Sequence, residues 1–142
     1  MSQELTLRII TPEKVVLDTT VASVRVPATD GSMGIFPRHA RMVAALGAGE
    51  LFYKVGGQET ELFISDGFAE VRDNTVRVLT SAGEKPEEID PERAKAAEER
   101  ARERLRAAAH RETQDDLIDM VRAEAALRRA LMRLQVRSHQ GF

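Results

Sequence analysis

The sequence predicts a β + α protein in two parts: an N-terminal antiparallel β-sandwich over residues 1–85 and a C-terminal antiparallel hairpin of two helices over residues 86–142. Three observations predict it. Composition changes near residue 85, from short apolar runs and turn residues to strong helix formers with Arg and Glu interleaved. Before that point, apolar residues alternate with polar ones and turn signals recur about every ten residues, the pattern of a sandwich or barrel. After it, apolar residues recur at spacings of three and four.

The strands follow in order. Leu5, Leu7 and Ile9 alternate with Thr6 and Arg8, and Pro12 ends that run. Val15-Val16-Leu17 and then Ala22, Val24 and Val26 resume it, and Pro27 is expected to stop it again. Thr29-Asp30-Gly31-Ser32 is a turn cluster. Leu51–Val55 and Gln58–Ile64 flank Gly56-Gly57, a two-residue hairpin signal. Asp66-Gly67 marks a further bend, and Phe68–Arg72 and Thr75–Thr80 flank a turn at Asp73-Asn74. The expected core is aliphatic: Leu7, Ile9, Val24, Val26, Ile35, Leu46, Leu51, Leu62, Ile64, Phe68, Val76 and Val78.

The first helix opens at Asp90-Pro91-Glu92. Asp90 suits the N-cap, Pro91 the first helical position and Glu92 the positive end of the dipole. Ala94, Ala97, Ala101, Leu105 and Ala108 then make one face almost wholly alanine. His110–Gln114 breaks the pattern, and Thr113 with Asp116 resembles a capping box for a second helix. The apolar stripe expected on that helix is Leu117, Met120, Val121, Leu127, Leu131 and Leu134. Each helix spans about 20 residues, roughly 30 Å. Alanine removes little apolar area from water, at ~25 cal/mol per Å², so the hairpin is expected to be weakly held. Glu98–Arg102 and Glu124–Arg128 are i,i+4 pairs that would travel with their helices. These features fit a movable arm as well as a plain solvated cap.

Several function classes are excluded or disfavoured. The 142 residues carry a net charge of −2, and residues 84–142 hold 13 basic and 13 acidic side chains. That balance and the scarcity of aromatics argue against a nucleic-acid module. There is no cysteine, so thiol and zinc-thiolate chemistry is absent. His39, His110 and His139 share no ligand spacing, no nucleophile elbow is present, and no Gly-Lys-Ser/Thr follows the glycines. Asp115-Asp116 fits helix capping better than catalysis. A non-enzyme without metal is therefore expected. No apolar run approaches a membrane span, and no secretory signal is visible.

The arginines offer one site chemistry. Arg93, Arg100 and Arg104 lie at spacings of seven and four, and Arg129 and Arg133 are four apart. If the helices fold together, these guanidinium groups form either a phosphate clamp or a set of solvated charges.

The segment Val26-Pro27-Ala28-Thr29-Asp30-Gly31-Ser32-Met33-Gly34-Ile35-Phe36-Pro37-Arg38-His39-Ala40, then Leu46-Gly47-Ala48-Gly49-Glu50-Leu51, Asp66-Gly67-Phe68-Ala69-Glu70-Val71 and Ile89-Asp90, resembles in order the epsilon subunits of F-type ATP synthases. The resemblance covers essentially the whole chain. It implies a non-catalytic central-stalk subunit whose sandwich binds the gamma subunit and the rotor ring of c subunits. Its hairpin inhibits ATP hydrolysis when extended towards the alpha/beta catalytic head. The implied location is the cytoplasmic face of a bacterial plasma membrane, peripheral and through the complex, with a plastid thylakoid as the alternative.

Some bacterial members bind ATP as a regulatory ligand through Ile/Leu-Asp-x-x-Arg-Ala, and Ile89-Asp90-Pro91-Glu92-Arg93-Ala94 matches it. The resemblance therefore makes Glu84, Asp90, Arg93, Ala94, Arg100, Arg129 and Arg133 the candidate nucleotide residues, with no required cofactor. It makes Ser32, Met33 and His39 candidates for ring contact, and Arg122, Arg128, Arg129, Arg133 and Arg137 candidates for contact with the head. The family's usual Pro-Gly-His-Ala-Pro reads here Pro37-Arg38-His39-Ala40-Arg41, which implies a different loop shape and ring pairing through the two arginines. The alternative function is a free-standing nucleotide-sensing module.

Overall fold

Alternating apolar and polar residues build ten strands: β1 Leu5–Ile10, β2 Val15–Val21, β3 Ser23–Ala28, β4 Gly31–Ile35, β5 Met42–Leu46, β6 Gly49–Val55, β7 Gln58–Ile64, β8 Gly67–Arg72, β9 Thr75–Thr80 and β10 Gly83–Glu84. A short 3-10 turn at Pro86–Glu88 precedes α1, Pro91–Ala108, and α2, Gln114–Ser138. The computed structural model describes residues 4–109 and 114–139. The chain divides into two compact units, Met1–Pro86 and Glu87–Phe142.

In the first unit the sheet order is β10-β7-β6-β3-β5-β8-β9-β1-β2, with β4 paired to β3 off this path. The sheet folds over where β3 meets β5, a junction registered through Ala28 and Leu46 alone. The two layers so formed close on one aliphatic core that includes Leu5, Leu7, Ile9, Val24, Val26, Ile35, Leu51, Leu62, Val76 and Val78. All pairings are antiparallel apart from β1 with β9. A parallel pair needs a long connection, and here the whole of β2 to β8 supplies it.

Two sequence expectations are corrected in this unit. Phe68 is 56% exposed, and its neighbours Ala69 and Val71 fill the core instead. Side chains alternate across a strand, so only one of Phe68 and Val71 can point inward. Pro27 does not stop the chain: it sits within β3 opposite Ser32 of β4, and its carbonyl accepts the N–H of Gly47 at 2.9 Å. Both predicted two-residue turns form. Gly56 and Gly57 have φ +57 and +83, and Asp73 and Asn74 have φ +50 and +57, the left-handed pair a tight hairpin with right-twisted strands requires.

In the second unit, Asp90 caps α1 as expected. Its Oδ1 accepts the N–H groups of Glu92 at 3.0 Å and Arg93 at 3.3 Å. The buried residues of α1 are Ala94, Ala101 and Ala108, one every seventh residue. On α2 the buried alanines are Ala123 and Ala130, again seven apart. A seven-residue repeat of small side chains is the pattern of a closely approached, gently coiled helix pair. The expected leucine stripe of α2 is displaced from this seam: Leu117 and Val121 are exposed, at 62% and 67%. Glu98 and Arg102 form their i,i+4 pair at 2.9 Å, whereas Glu124 makes no ion pair among the described residues. The capping role expected of Thr113 lies outside the described residues.

Candidate functional site

The outward face of β5, β8, β9, β1 and β2 is organised in rows by strand register. One row runs Ala45, Phe68, Leu79, Ile10, Val15. It is apolar throughout, with Phe68, Leu79 and Val15 exposed at 56%, 46% and 58%. The adjacent row runs Val43, Glu70, Arg77, Arg8, Asp18 and is tied by Arg8–Asp18 at 3.3 Å and Arg77–Glu70 at 3.9 Å. The third carries Arg72, Thr75, Thr6 and Thr20. An open groove of about 740 Å³ runs along the apolar row, bounded at one end by Asp66 and Ser81. Their side chains are hydrogen-bonded, Ser81 Oγ donating to Asp66 Oδ1 at 2.9 Å. Sequence reasoning missed this surface because it assigned Phe68 to the core.

The three ring-contact candidates differ in exposure. Ser32 is exposed on β4, but Met33 is turned inward and packs against the sandwich core. His39 lies in the loop beyond β4. Its Nδ1 donates to the Ala40 carbonyl at 2.8 Å, which leaves Nε2 as an acceptor in the neutral ring. The same loop exposes Phe36 at 63%, a residue the sequence reading had not singled out. A Cβ at Gly34 would lie 3.4 Å from the Phe36 ring, so this glycine gives the ring its seat. Arg38 adopts φ +62. The arginine thus takes up the left-handed conformation that glycine would adopt freely.

Most nucleotide candidates lie in the hairpin. Asp90 Oδ1 is engaged in the cap, and Ala94 is buried. Arg93 and Arg100 are exposed and Arg129 is half-buried. None of these three makes an ion pair among the described residues. Arg133 is half-buried and engaged by a neighbour, as is Glu84, which belongs to β10 of the sandwich unit. Between the last residues of α1 and the first turns of α2, a pocket of about 360 Å³ is lined by Arg104, Ala107, Ala108, Asp116, Asp119, Arg122 and Ala123. Its two arginines face two aspartates, so it is balanced in charge. Ala108 and Ala123 line this same pocket, and equal rises along the two helices from there bring Arg100 to about the level of Leu131. That residue lies between Arg129 and Arg133. Arg104 belongs to the turn end instead. Arg93 lies seven residues, about 10 Å, further along α1, so this alignment brings Arg100 and Arg129 to one level and leaves Arg93 apart; guanidinium groups suit phosphate oxygens.

Among the head-contact candidates, Arg122 and Arg129 make no ion pair among the described residues, while Arg128, Arg133 and Arg137 are engaged by neighbours.

A β-sandwich with this strand order, followed by a two-helix hairpin, is the two-part architecture of the chain. The beta-sandwich domain of the ATP synthase delta/epsilon chain matches residues 4–86, and its long alpha-helix domain matches residues 87–137. The chain belongs to the ATP synthase delta/epsilon family. The ATP synthase epsilon chain of Lawsonia intracellularis is 47% identical over 105 residues, covering 74% of this chain and 79% of the relative. That of Thermodesulfovibrio yellowstonii is 44% identical over 113 residues, covering 80% and 81%. A chain from the Euglena gracilis mitochondrial ATP synthase, in an assembly of OSCP, F1 and c-ring, superposes with a TM-score of 0.75 at 27% identity, over 92% of this chain and 79% of that one. Among the described residues, no helix is long and apolar enough to cross a membrane.

Proposed function

We propose that this chain is a rotor subunit of the central stalk, coupling the catalytic head to the proton-translocating ring and restraining ATP hydrolysis through its hairpin. The observation that carries the reading is the apolar row Ala45, Phe68, Leu79, Ile10 and Val15 on the outward face of the sandwich, beside a row tied by ion pairs. Leaving such a row in water is unfavourable by ~25 cal/mol per Å², and a permanent partner removes that cost. The gamma subunit is the partner assigned to it, with the c-subunit ring below and the alpha/beta head reached by the hairpin. Membrane association then comes only through the complex.

Titrating the full-length chain onto purified gamma tests this. Phe68→Asp should weaken binding at least tenfold, because it places a charge in the buried centre of the contact. No binding by the parent chain would overturn the assignment; if ATP binding persisted, a free-standing nucleotide sensor would take its place. Inhibition is read separately, as ATP hydrolysis by the reassembled complex. Neutralising Arg122 and Arg129 should relieve it, and unchanged hydrolysis would remove the head contact.

The hairpin is further proposed to sense ATP through Arg93, Arg100 and Arg129, with Asp90 fixing the helix start that presents Arg93. The ligand supplies the phosphate charge, and the chain supplies the donors. Calorimetric titration with ATP and magnesium should give binding that Arg93→Ala removes. No heat from the parent chain would leave Ile89-Asp90-Pro91-Glu92-Arg93-Ala94 as a helix start alone.

A further inference from the structure

One register row of the sandwich's outward face reads Glu70, Arg77, Arg8, Asp18 across β8, β9, β1 and β2. In charge it runs minus, plus, plus, minus. The two arginines stand directly opposite each other on neighbouring strands, which lie about 4.8 Å apart, and like charges so placed repel. Each carboxylate stands on the far side of the pair. Arg8 Nε is 3.3 Å from Asp18 Oδ2, and Arg77 Nη1 is 3.9 Å from Glu70 Oε1, too far for a direct hydrogen bond. Among the described residues neither guanidinium has a second partner. Each carries five N–H donors, so most of them are left to solvent.

These two arginines border a cavity of about 320 Å³, together with Arg72, Thr75 and Thr6 of the adjacent row. Arg72 pairs outward with Asp73 at 3.4 Å, whose side chain is 88% exposed. Glu70 and Asp73 also reach the rim, whereas Asp18 is not part of the lining. Three guanidinium groups thus face the cavity against two carboxylates. The Thr75 hydroxyl donates to the Asp73 carbonyl at 3.4 Å, while that of Thr6 has no partner among the described residues. Fork-shaped cations in excess and a free hydroxyl suit a tetrahedral oxyanion. The lining offers no aromatic ring on which a nucleobase could stack.

We propose that this cavity binds a small oxyanion of the phosphate class, seated between Arg8 and Arg77 with Arg72 closing one side. The anion brings the negative charge that the facing arginines lack between them, so its binding also stabilises the pairing of β1 with β9. The site is separate from the hairpin arginines proposed to sense ATP, and it needs neither gamma nor the ring.

Inorganic phosphate is the probe. It is titrated into the full-length chain with chloride holding ionic strength constant, and followed by the NMR signals of the arginine Nε–H groups and by the melting temperature. Phosphate should shift the Arg8 and Arg77 signals saturably and raise the melting temperature above the chloride control, as any ligand of the folded state does. Arg8→Gln and Arg77→Gln should each weaken binding at least tenfold, the scale of a lost charge-assisted contact. Arg77→Lys keeps the charge without the fork and should recover only part of the affinity. Glu70→Gln removes a carboxylate that competes with the anion and should tighten binding about threefold, a gain that a merely structural ion pair would not give. Lys54→Gln removes an exposed cation from β6 and should change nothing. Each variant's melting in chloride establishes that it is folded. No saturable shift at Arg8 and Arg77 overturns the site. An equal loss in Lys54→Gln also overturns it, since only diffuse screening would then be at work. If phosphate does not bind and Arg8→Gln and Arg77→Gln weaken gamma binding instead, the row belongs to the gamma contact: the oxyanion site fails and the gamma assignment stands.

Discussion

A Cβ placed on Gly67 would lie 1.9 Å from the carbonyl oxygen of Leu79. The two residues belong to the β8–β9 pair, where Gly67 stands opposite Thr80, and Gly67 itself has φ +152, open to glycine and rarely to other residues. Here β8 begins directly against the backbone of β9, which starts the register that turns Ala69 and Val71 inward and Phe68 outward. Gly67→Ala is therefore expected to destabilise the chain by about 3 kcal/mol or more, from strained backbone plus displacement of a ladder strand. Urea unfolding of the full chain would measure it, and a loss under 1 kcal/mol would mean that β8 can shift without cost.

The paired glycines of the Gly47-Ala48-Gly49 segment should respond unequally. A Cβ on Gly49 would come within 2.8 Å of Pro27 Cβ, whereas one on Gly47 would meet nothing within 4 Å. Pro27 is rigid and cannot swing aside. Gly49→Ala should cost about 1–3 kcal/mol by overpacking, and Gly47→Ala should stay within about 0.5 kcal/mol. Equal melting temperatures for the two variants would refute the close approach of β6 to β3.

Much of the fold was legible because alternation is a local signal. Leu7, Ile9, Val24, Val26, Val76 and Val78 all fall on the inward phase of their strands. Phe68 was misread because Phe68 and Val71 sit on opposite phases of one short strand, and size suggested the wrong one. What decided between them was pairing with β5 and β9, which is not local. In α2, leucines outweigh alanines on any hydropathy scale, yet Ala123, Ala130 and Val136 are buried and none of the leucines is. Close helix approach selects small residues, and a pattern of large apolar ones cannot reveal it. The candidate sites were legible as residue types only. That Arg38 would take a left-handed backbone, with its N–H bound by a residue 36 positions away, leaves no mark in local sequence. Nor does the turning of Met33 towards the core.

Asp90 combines a structural duty with a proposed ligand duty, and two substitutions separate them. Its Oδ1 accepts two amide groups of the first turn of α1. Asp90→Ala should lose about 1 kcal/mol of helix stability, whereas Asp90→Asn should keep most of the cap. Amide exchange of Glu92 and Arg93 would report it. If ATP binding depends on Asp90 only through the cap, Asn should preserve it and Ala should weaken it, while Arg93→Ala should abolish it with the first turn intact. Equal loss of ATP binding in Asn and Ala would assign the carboxylate a direct role.

The alanine seam gives the hairpin its geometry, and Ala101 lies at its centre, 1% exposed. A leucine there adds apolar area, which by itself would favour folding at ~25 cal/mol per Å². Close-packed helices have no room for it, and overpacking costs typically ~1–3 kcal/mol. The second term should win. Ala101→Leu should then speed amide exchange throughout α1 and α2 and leave the strands of the sandwich protected. Ala96, exposed on the same helix, is the control: leucine there changes neither packing nor helix propensity by more than about 0.5 kcal/mol. A hairpin made more protected by Ala101→Leu would mean that the helices stand far enough apart to accept the larger side chain, and that alanine at every seventh position serves something other than close approach.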